Sequence, residues 1–198
     1  MSSDPRVPDY ELDDLRIITS TPELKAAFHP LRNQLLDLVL ERAATVAELA
    51  DAVDRPKSSV AYHVDVLVDA GLFRIVRTRR VRAIDERFYG RTARIFYVGQ
   101  IRPEQLSTIP NILVDAAAES VPAHHADDLR AIVRHARISR RDAAEFWDQV
   151  FDLARKFSAR RRTGDETFRF VAGLYPTEYP SLPDAGTDDA SAPEEELA

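Results

Sequence analysis

The apolar positions divide the chain into short helices, then a β-rich stretch, then helices again. Leu24, Phe28, Leu31, Leu35, Leu38 and Val39 recur at helical spacing. Ser20-Thr21-Pro22-Glu23 opens that run: either Ser20 caps with Glu23 as its box partner, or Thr21 caps with Pro22 at the first helical position. Pro30 lies inside the run, where it has no amide to donate and clashes with the preceding turn. A break is expected at His29-Pro30, with a second helix starting at Pro30. Ahead of this, Leu15 to Ile18 reads as a short strand, and the polar, proline-bearing residues before it read as loose.

Thr45-Val46-Ala47-Glu48 is a second capping box, opening a helix with Val46, Leu49, Ala50 and Val53 on its apolar face. A turn, Asp54-Arg55-Pro56, leads into a helix whose buried stripe is Val60, Val64, Leu67 and Val68. That leaves Lys57, Ser58, Ser59, Tyr62 and Asp65 facing out. Gly71 follows the last turn, where a left-handed C-cap suits glycine. From Phe73 to Val98 the β-branched and aromatic content rises. Phe73 to Arg79 is expected to pair with Arg87 to Arg91 around a tip near Val81 to Asp85, followed by a short strand over Ile95 to Val98. The order helix, turn, helix, basic hairpin is that of a winged helix-turn-helix.

Pro103 opens a second region. Helices are expected from Pro103 to Ser120 with an interruption at Pro110, from Ala126 to His135, and from a Ser139 cap to Arg160. The last carries Ala143, Phe146, Trp147, Val150, Phe151, Ala154 and Phe157 on a wide apolar face. FRFVAGLYP reads as a strand, and the acidic remainder as a disordered tail. The fold class is therefore mainly α with a small β-hairpin, a winged helix-turn-helix, plus a mostly helical C-terminal region. The divisions expected are a flexible segment over 1–19, the winged domain over 20–102, a dimerisation and candidate effector region over 103–176, and the tail over 177–198.

Composition first points the other way. The 198 residues carry a net charge of −6, with a pI near 5.4, which alone argues against a nucleic-acid partner. The distribution reverses this. The tail holds Glu178, Asp184, Asp188, Asp189, Glu194, Glu195 and Glu196 and no base, whereas Arg55 to Arg94 is strongly basic. Local charge sets the field that a phosphate backbone meets. The absence of cysteine removes disulfides and thiolate metal sites. The acidic N-terminus lacks the apolar core of a signal peptide, and no run approaches a membrane span, so no membrane partner is expected and the compartment expected is the cytoplasm.

A recognition helix must present a polar, unobstructed face to a major groove. Lys57, Ser58, Ser59 and Tyr62, near the helix N-terminus, are the candidates for reading bases. Arg55 in the turn and Arg77, Arg79, Arg80, Arg82 and Arg87 in the hairpin are the candidates for backbone contacts, since guanidinium pairs well with phosphate oxygens. Some of these arginines could instead pair with Asp85 and Glu86 across a solvated strand face. His63, at the edge of the buried stripe, reads as a packed or hydrogen-bonded histidine rather than a metal ligand. His124, His125, Asp127, Asp128 and His135 could supply nitrogen and oxygen ligands, but a surface loop explains them equally well. No metal site and no cofactor is expected. Trp147 with Phe146, Phe151 and Phe157 could line an effector pocket, a dimer seam or simply a core.

The segments HPLRNQLLDLV, TVAELADAVDRPKSSVAYHVDVLVDAGLF and VRTRRVRAIDERFYGRTARIF resemble the ArsR-type winged helix-turn-helix transcriptional regulators. The resemblance covers roughly residues 20–100. Its S-x-x-x-H-x-x-x-L-x-x-A-G-L spacing is met by Ser59, His63, Leu67, Ala70, Gly71 and Leu72. The resemblance implies a homodimeric repressor on a pseudo-palindromic operator of double-stranded DNA, one recognition helix per half-site, often released by a metal or small-molecule effector. Without cysteine the chain departs from the thiolate metal sensors. The alternative is a winged-helix protein-interaction module without direct DNA readout. An enzyme is not expected, because Gly-rich phosphate loops and nucleophile elbows are missing.

Overall fold

The computed structural model describes residues 8–81, 84–162 and 164–180. Within them the chain is mainly α with a small β-hairpin. Arg82 and the acidic tail beyond residue 180 lie outside the described residues.

Strand β1 (Asp13–Ile18) leads into α1 (Thr21–Ala27). Of the two possible caps, Ser20 is the one used: its hydroxyl accepts from the Glu23 amide, and the Glu23 carboxylate accepts from the Ser20 amide at 3.1 Å. Pro30 breaks the run as its chemistry requires. His29 is extended, and α2 (Pro30–Leu38) begins at the proline. The Thr45 capping box opens α3 (Val46–Ala52), and α4 (Lys57–Asp69) follows after the turn.

Helices α3 and α4 end in the same way. Asp54 and Gly71 adopt left-handed backbone, with φ of 49° and 68°. The amide beyond each reaches back into the last turn, Arg55 to the Ala50 carbonyl and Leu72 to the Leu67 carbonyl. This Schellman closure satisfies carbonyls that a helix end otherwise leaves open.

Strands β2 (Phe73–Val81) and β3 (Ile84–Arg91) form the antiparallel hairpin, and Ala44 adds a third rung by pairing with Tyr89. The register shifts by one residue between Ile75 and Arg77, a β-bulge. Strand β4 (Ala93–Val98) turns away and pairs in parallel with β1, a partner that sequence periodicity does not reveal.

The core is formed by Leu24, Leu35, Val39, Leu49, Val60, Val64, Leu67, Leu72 and Phe73, all at most 2% exposed. Each such side chain contributes about 1.5–3 kcal/mol of transfer free energy. Arg91 is also buried. It donates to the carbonyls of Ala93 and Leu36, stacks on the Phe96 ring and faces Asp37 at 3.6 Å. Burial pulls its pKa down to about 10, so it stays charged and belongs to the interior.

Residues 8–14 are not loose, contrary to the sequence expectation. Pro8 is buried, the Tyr10 hydroxyl donates to the Val39 carbonyl at 2.6 Å, and Asp9 accepts from the Ala43 amide at 2.7 Å. These polar residues are held by side-chain bonds to distant loops rather than by apolar burial, a bond pattern that hydrophobic periodicity cannot show.

After a 3₁₀ turn over Pro103–Thr108 come α5 (Ile112–Glu119), α6 (Val121–His125) and α7 (Arg140–Ser158). The interruption at Pro110 and the Ser139 cap fall where the sequence puts them. The helix expected over Ala126 to His135 does not form. Asp127 takes φ of 56°, and the amides of Asp127 and Asp128 close on the carbonyls of His124 and Ala123, ending α6 in another Schellman turn. FRFVAGLYP is not a strand either. It lies along the helices through side chains, Phe170 against Phe157 and Gly173 against Leu113, without a neighbouring edge to complete a ladder.

Candidate nucleic-acid interface

Lys57, Ser58, Ser59 and Tyr62 share the first turns of α4 and are all exposed, Tyr62 by 64%. Arg55 is exposed one turn earlier. Pro56 precedes the helix and offers no side-chain cap. The first-turn amides of α4 therefore point outward at the positive end of the helix dipole, an arrangement suited to an anion. On the opposite face Val60, Val64 and Leu67 are fully buried. The structure thus brings all the base-reading candidates onto one surface.

A second network sets the seating of α4. Arg32 is 8% exposed and donates to the carbonyls of Ala26, at 2.9 Å, and Lys25, at 2.6 Å. Its remaining nitrogen lies 3.2 Å from His63 Nδ1. A guanidinium has no lone pair to offer, so Nδ1 must accept and the imidazole proton sits on Nε2. The His29 ring lies 4.8 Å from that of His63. Burial, then the neighbouring His29 and Arg32, hold the His63 pKa below its ordinary value. His63 is therefore a hydrogen-bonded helix histidine. Arg32 escaped sequence reasoning although a signal existed: it stands at buried-stripe spacing between Phe28 and Leu35, where a charge needs partners.

Strand alternation and pairing sort the hairpin arginines by face. Directly opposed residues share a face, so Arg77 and Arg79 lie with Phe88 and Glu86, while Arg80 lies with Asp85 and Arg87 with Thr78. Arg77 packs over the Phe88 ring and pairs with Asp9 at 2.5 Å. Arg79 pairs with Glu86 at 2.7 Å. Arg80 and Arg87 are exposed, and neither has an ion pair or side-chain hydrogen bond among the described residues. The wing candidates therefore split into an engaged pair and a pair open to solvent.

Arg16 is a further residue that sequence reasoning missed. From β1 it donates to the Gly71 carbonyl at the end of α4, to Thr92 at 3.3 Å and to Glu23 at 2.8 Å. It ties the C-terminus of α4 to β1 and the start of α1. Among the described residues, no group of three or more His, Asp or Glu side chains is placed to hold a metal ion, and no helix is long and apolar enough to cross a membrane. His135 stacks on Tyr179, with ring centroids 3.7 Å apart.

Comparison with known proteins bears on the same segment. A family model described as a helix-turn-helix domain matches residues 29–76. No curated protein matches the chain. Among solved structures, HlyU from Vibrio cholerae N16961 is similar at 20% identity over 51% of this chain and 89% of its own, with a TM-score of 0.30. Mb0332 from Mycobacterium bovis, a homodimeric winged helix-turn-helix DNA-binding domain, is similar at 20% identity over 52% and 82%, with a TM-score of 0.32. The transcriptional repressor BigR from Xylella fastidiosa is similar at 23% identity over 55% and 86%, with a TM-score of 0.29. Residues 29–76 thus form a helix-turn-helix domain, and the β2–β3 hairpin that follows makes it a winged one.

Proposed function

We propose that the chain is a sequence-specific DNA-binding transcriptional regulator, a homodimeric repressor of ArsR type. The observation that carries this reading is the exposed face of Lys57, Ser58, Ser59 and Tyr62 at the uncapped start of α4, together with the solvent-exposed arginines Arg80 and Arg87 of the hairpin. In this reading α4 enters the major groove, its first turn reads bases, and Arg55, Arg80 and Arg87 hold phosphates. The exposed face of α7 is the candidate dimer seam, with Phe146 and Leu153 more than half exposed. The pairing of Arg77 and Arg79 with carboxylates favours a second reading, a wing that docks an acidic protein surface.

Gel shift against the DNA upstream of the chain's own coding sequence tests the first reading. Tyr62→Ala should change which sequence is preferred. Arg80→Ala with Arg87→Ala should weaken binding to every sequence and flatten the dependence on salt by about 2 in log–log slope. Absence of salt-sensitive binding would sink the proposal and leave the second reading.

A further inference from the structure

One extended segment, residues 8–18, touches both DNA-facing elements and the C-terminal helix. At its far end Asp14 lies 3.5 Å from Arg155 of α7. Arg16 holds the end of α4. At its near end the segment crosses the face of the wing that bears Arg74, Arg77 and Phe88. The Tyr10 ring lies against Gly90, where a Cβ would come within 2.6 Å of it. Its hydroxyl accepts from the Arg91 amide. Arg74 donates to the Glu11 carbonyl at 2.5 Å, and Arg77 to the Asp9 carboxylate at the same distance. The second oxygen of Asp9 is pinned by the Ala43 amide. A carboxylate so held stands where a phosphate oxygen would approach Arg77.

We propose that the Asp9 carboxylate is an intramolecular counter-anion for the wing and, with the Glu11 main-chain carbonyl on Arg74, competes with DNA phosphate for Arg77 and Arg74 and holds the protein below its full affinity for DNA. This rests on the DNA-binding reading above. Burial tends to raise the Asp9 pKa, but the Ala43 amide and Arg77 outweigh it and keep the carboxyl below the ordinary carboxylate range, so the counter-anion is charged at neutral pH. Because the pair is half exposed, the contact is weak enough to exchange. Lifting the segment would free two guanidinium groups without disturbing the core around Leu67 and Phe73. The same segment meets α7 at Asp14, so an event at the C-terminal helix has a direct physical route to the wing.

The test uses the full chain and a fluorescent mixed-sequence duplex of about 30 base pairs, because phosphate contacts do not depend on sequence. Asp9→Asn keeps an oxygen for the Ala43 amide and removes the charge. It should tighten binding several-fold and steepen the log–log salt slope by about 1, as one more phosphate is neutralised. Glu166→Gln, an exposed carboxylate outside the hairpin and the 8–18 segment in sequence, controls for net charge. Adding Arg77→Ala to Asp9→Asn should return the slope to that of the unaltered protein. If Asp9→Asn matches Glu166→Gln while Arg80→Ala still weakens binding, the counter-anion is overturned and DNA binding stands. If no variant binds the duplex at any salt concentration, both fall. Thermal melts of each variant guard against simple unfolding: an Asp9→Asn protein that melts early and binds no tighter also overturns the proposal.

Discussion

Helices α4 and α7 carry similar sequence patterns and meet opposite fates. Both are amphipathic, α4 starting after Pro56 and α7 after the Ser139 cap. In α4 the stripe Val60, Val64 and Leu67 is fully buried among α1, α2, α3 and β2. In α7 no residue is buried; Phe151 meets Tyr97 of β4, but Phe146 and Leu153 stand 53% and 58% exposed. Periodicity says that a helix has an apolar face. It does not say whether the chain itself supplies the surface that covers it. The winged domain closes within one chain, while α7 keeps apolar area open, as an element that meets a second surface would.

The largest expected effects sharpen this contrast. Leu67→Ala should cost about 3 kcal/mol, through lost transfer energy and a cavity that cannot collapse. Leu153→Ala should cost under about 0.5 kcal/mol in dilute solution. Urea melts at two protein concentrations measure both. A cost at Leu153 comparable with that at Leu67, rising with protein concentration, would show that a second copy covers α7 and would break the contrast as drawn for one chain.

Arg91→Ala tests the interior from the polar side. It leaves the Leu36 and Ala93 carbonyls without their buried donor and should cost about 3 kcal/mol. Salt dependence of DNA binding should not change, because this arginine is not on the surface. A flattened salt slope in a folded Arg91→Ala protein would instead place it among the backbone contacts.

The smallest effect concerns the seating of α4. His63 has a folded-state pKa below the ordinary 6.5, so the unfolded chain takes up the proton first as pH falls. Its contribution to stability is present above about 6.5 and is lost as pH drops through the folded value. Melting temperature should therefore decline as pH falls below about 6.5, and decline less in His63→Gln. Protonation also turns Nδ1 into a donor facing Arg32, with His29 beside it, so the link from α4 to the end of α1 opens in the same window. The carboxylates Asp9, Glu23 and Glu48, whose pKa values are also lowered, act only below about pH 4.5 and do not obscure this. An identical decline in both proteins would remove His63 from the account.

Local chemistry made much of the fold legible. The Ser20 and Thr45 capping boxes, the break at Pro30, the Gly71 turn and the Ser139 cap depend on residues within a few positions of each other, and all form as their spacing predicts. The exposed face of Lys57, Ser58, Ser59 and Tyr62 was legible for the same reason: it is the complement of a periodic apolar stripe. Where sequence reasoning failed, the deciding interaction was distant or the local signal ambiguous. Asp127 can continue a helix or close one, and here it closes α6. FRFVAGLYP has strand composition, but a strand exists only with a partner edge.

The sequence by itself determined the helices, their caps and the polar surface of α4, because helix formation and capping are local. Only the tertiary structure decided what each charge does. Strand alternation turns Arg77 and Arg79 to one face of the wing and Arg80 to the other, and a bulge of one residue brings Arg74 onto the face of Arg77. Residues 8–11, far away in sequence, then occupy Arg77 and Arg74. Arg91 goes inside, Arg32 takes hold of His63, and Arg80 and Arg87 remain for a partner. Ten basic residues in one stretch announce a positive field, but which of them can meet a phosphate depends on contacts across sixty and more positions of chain.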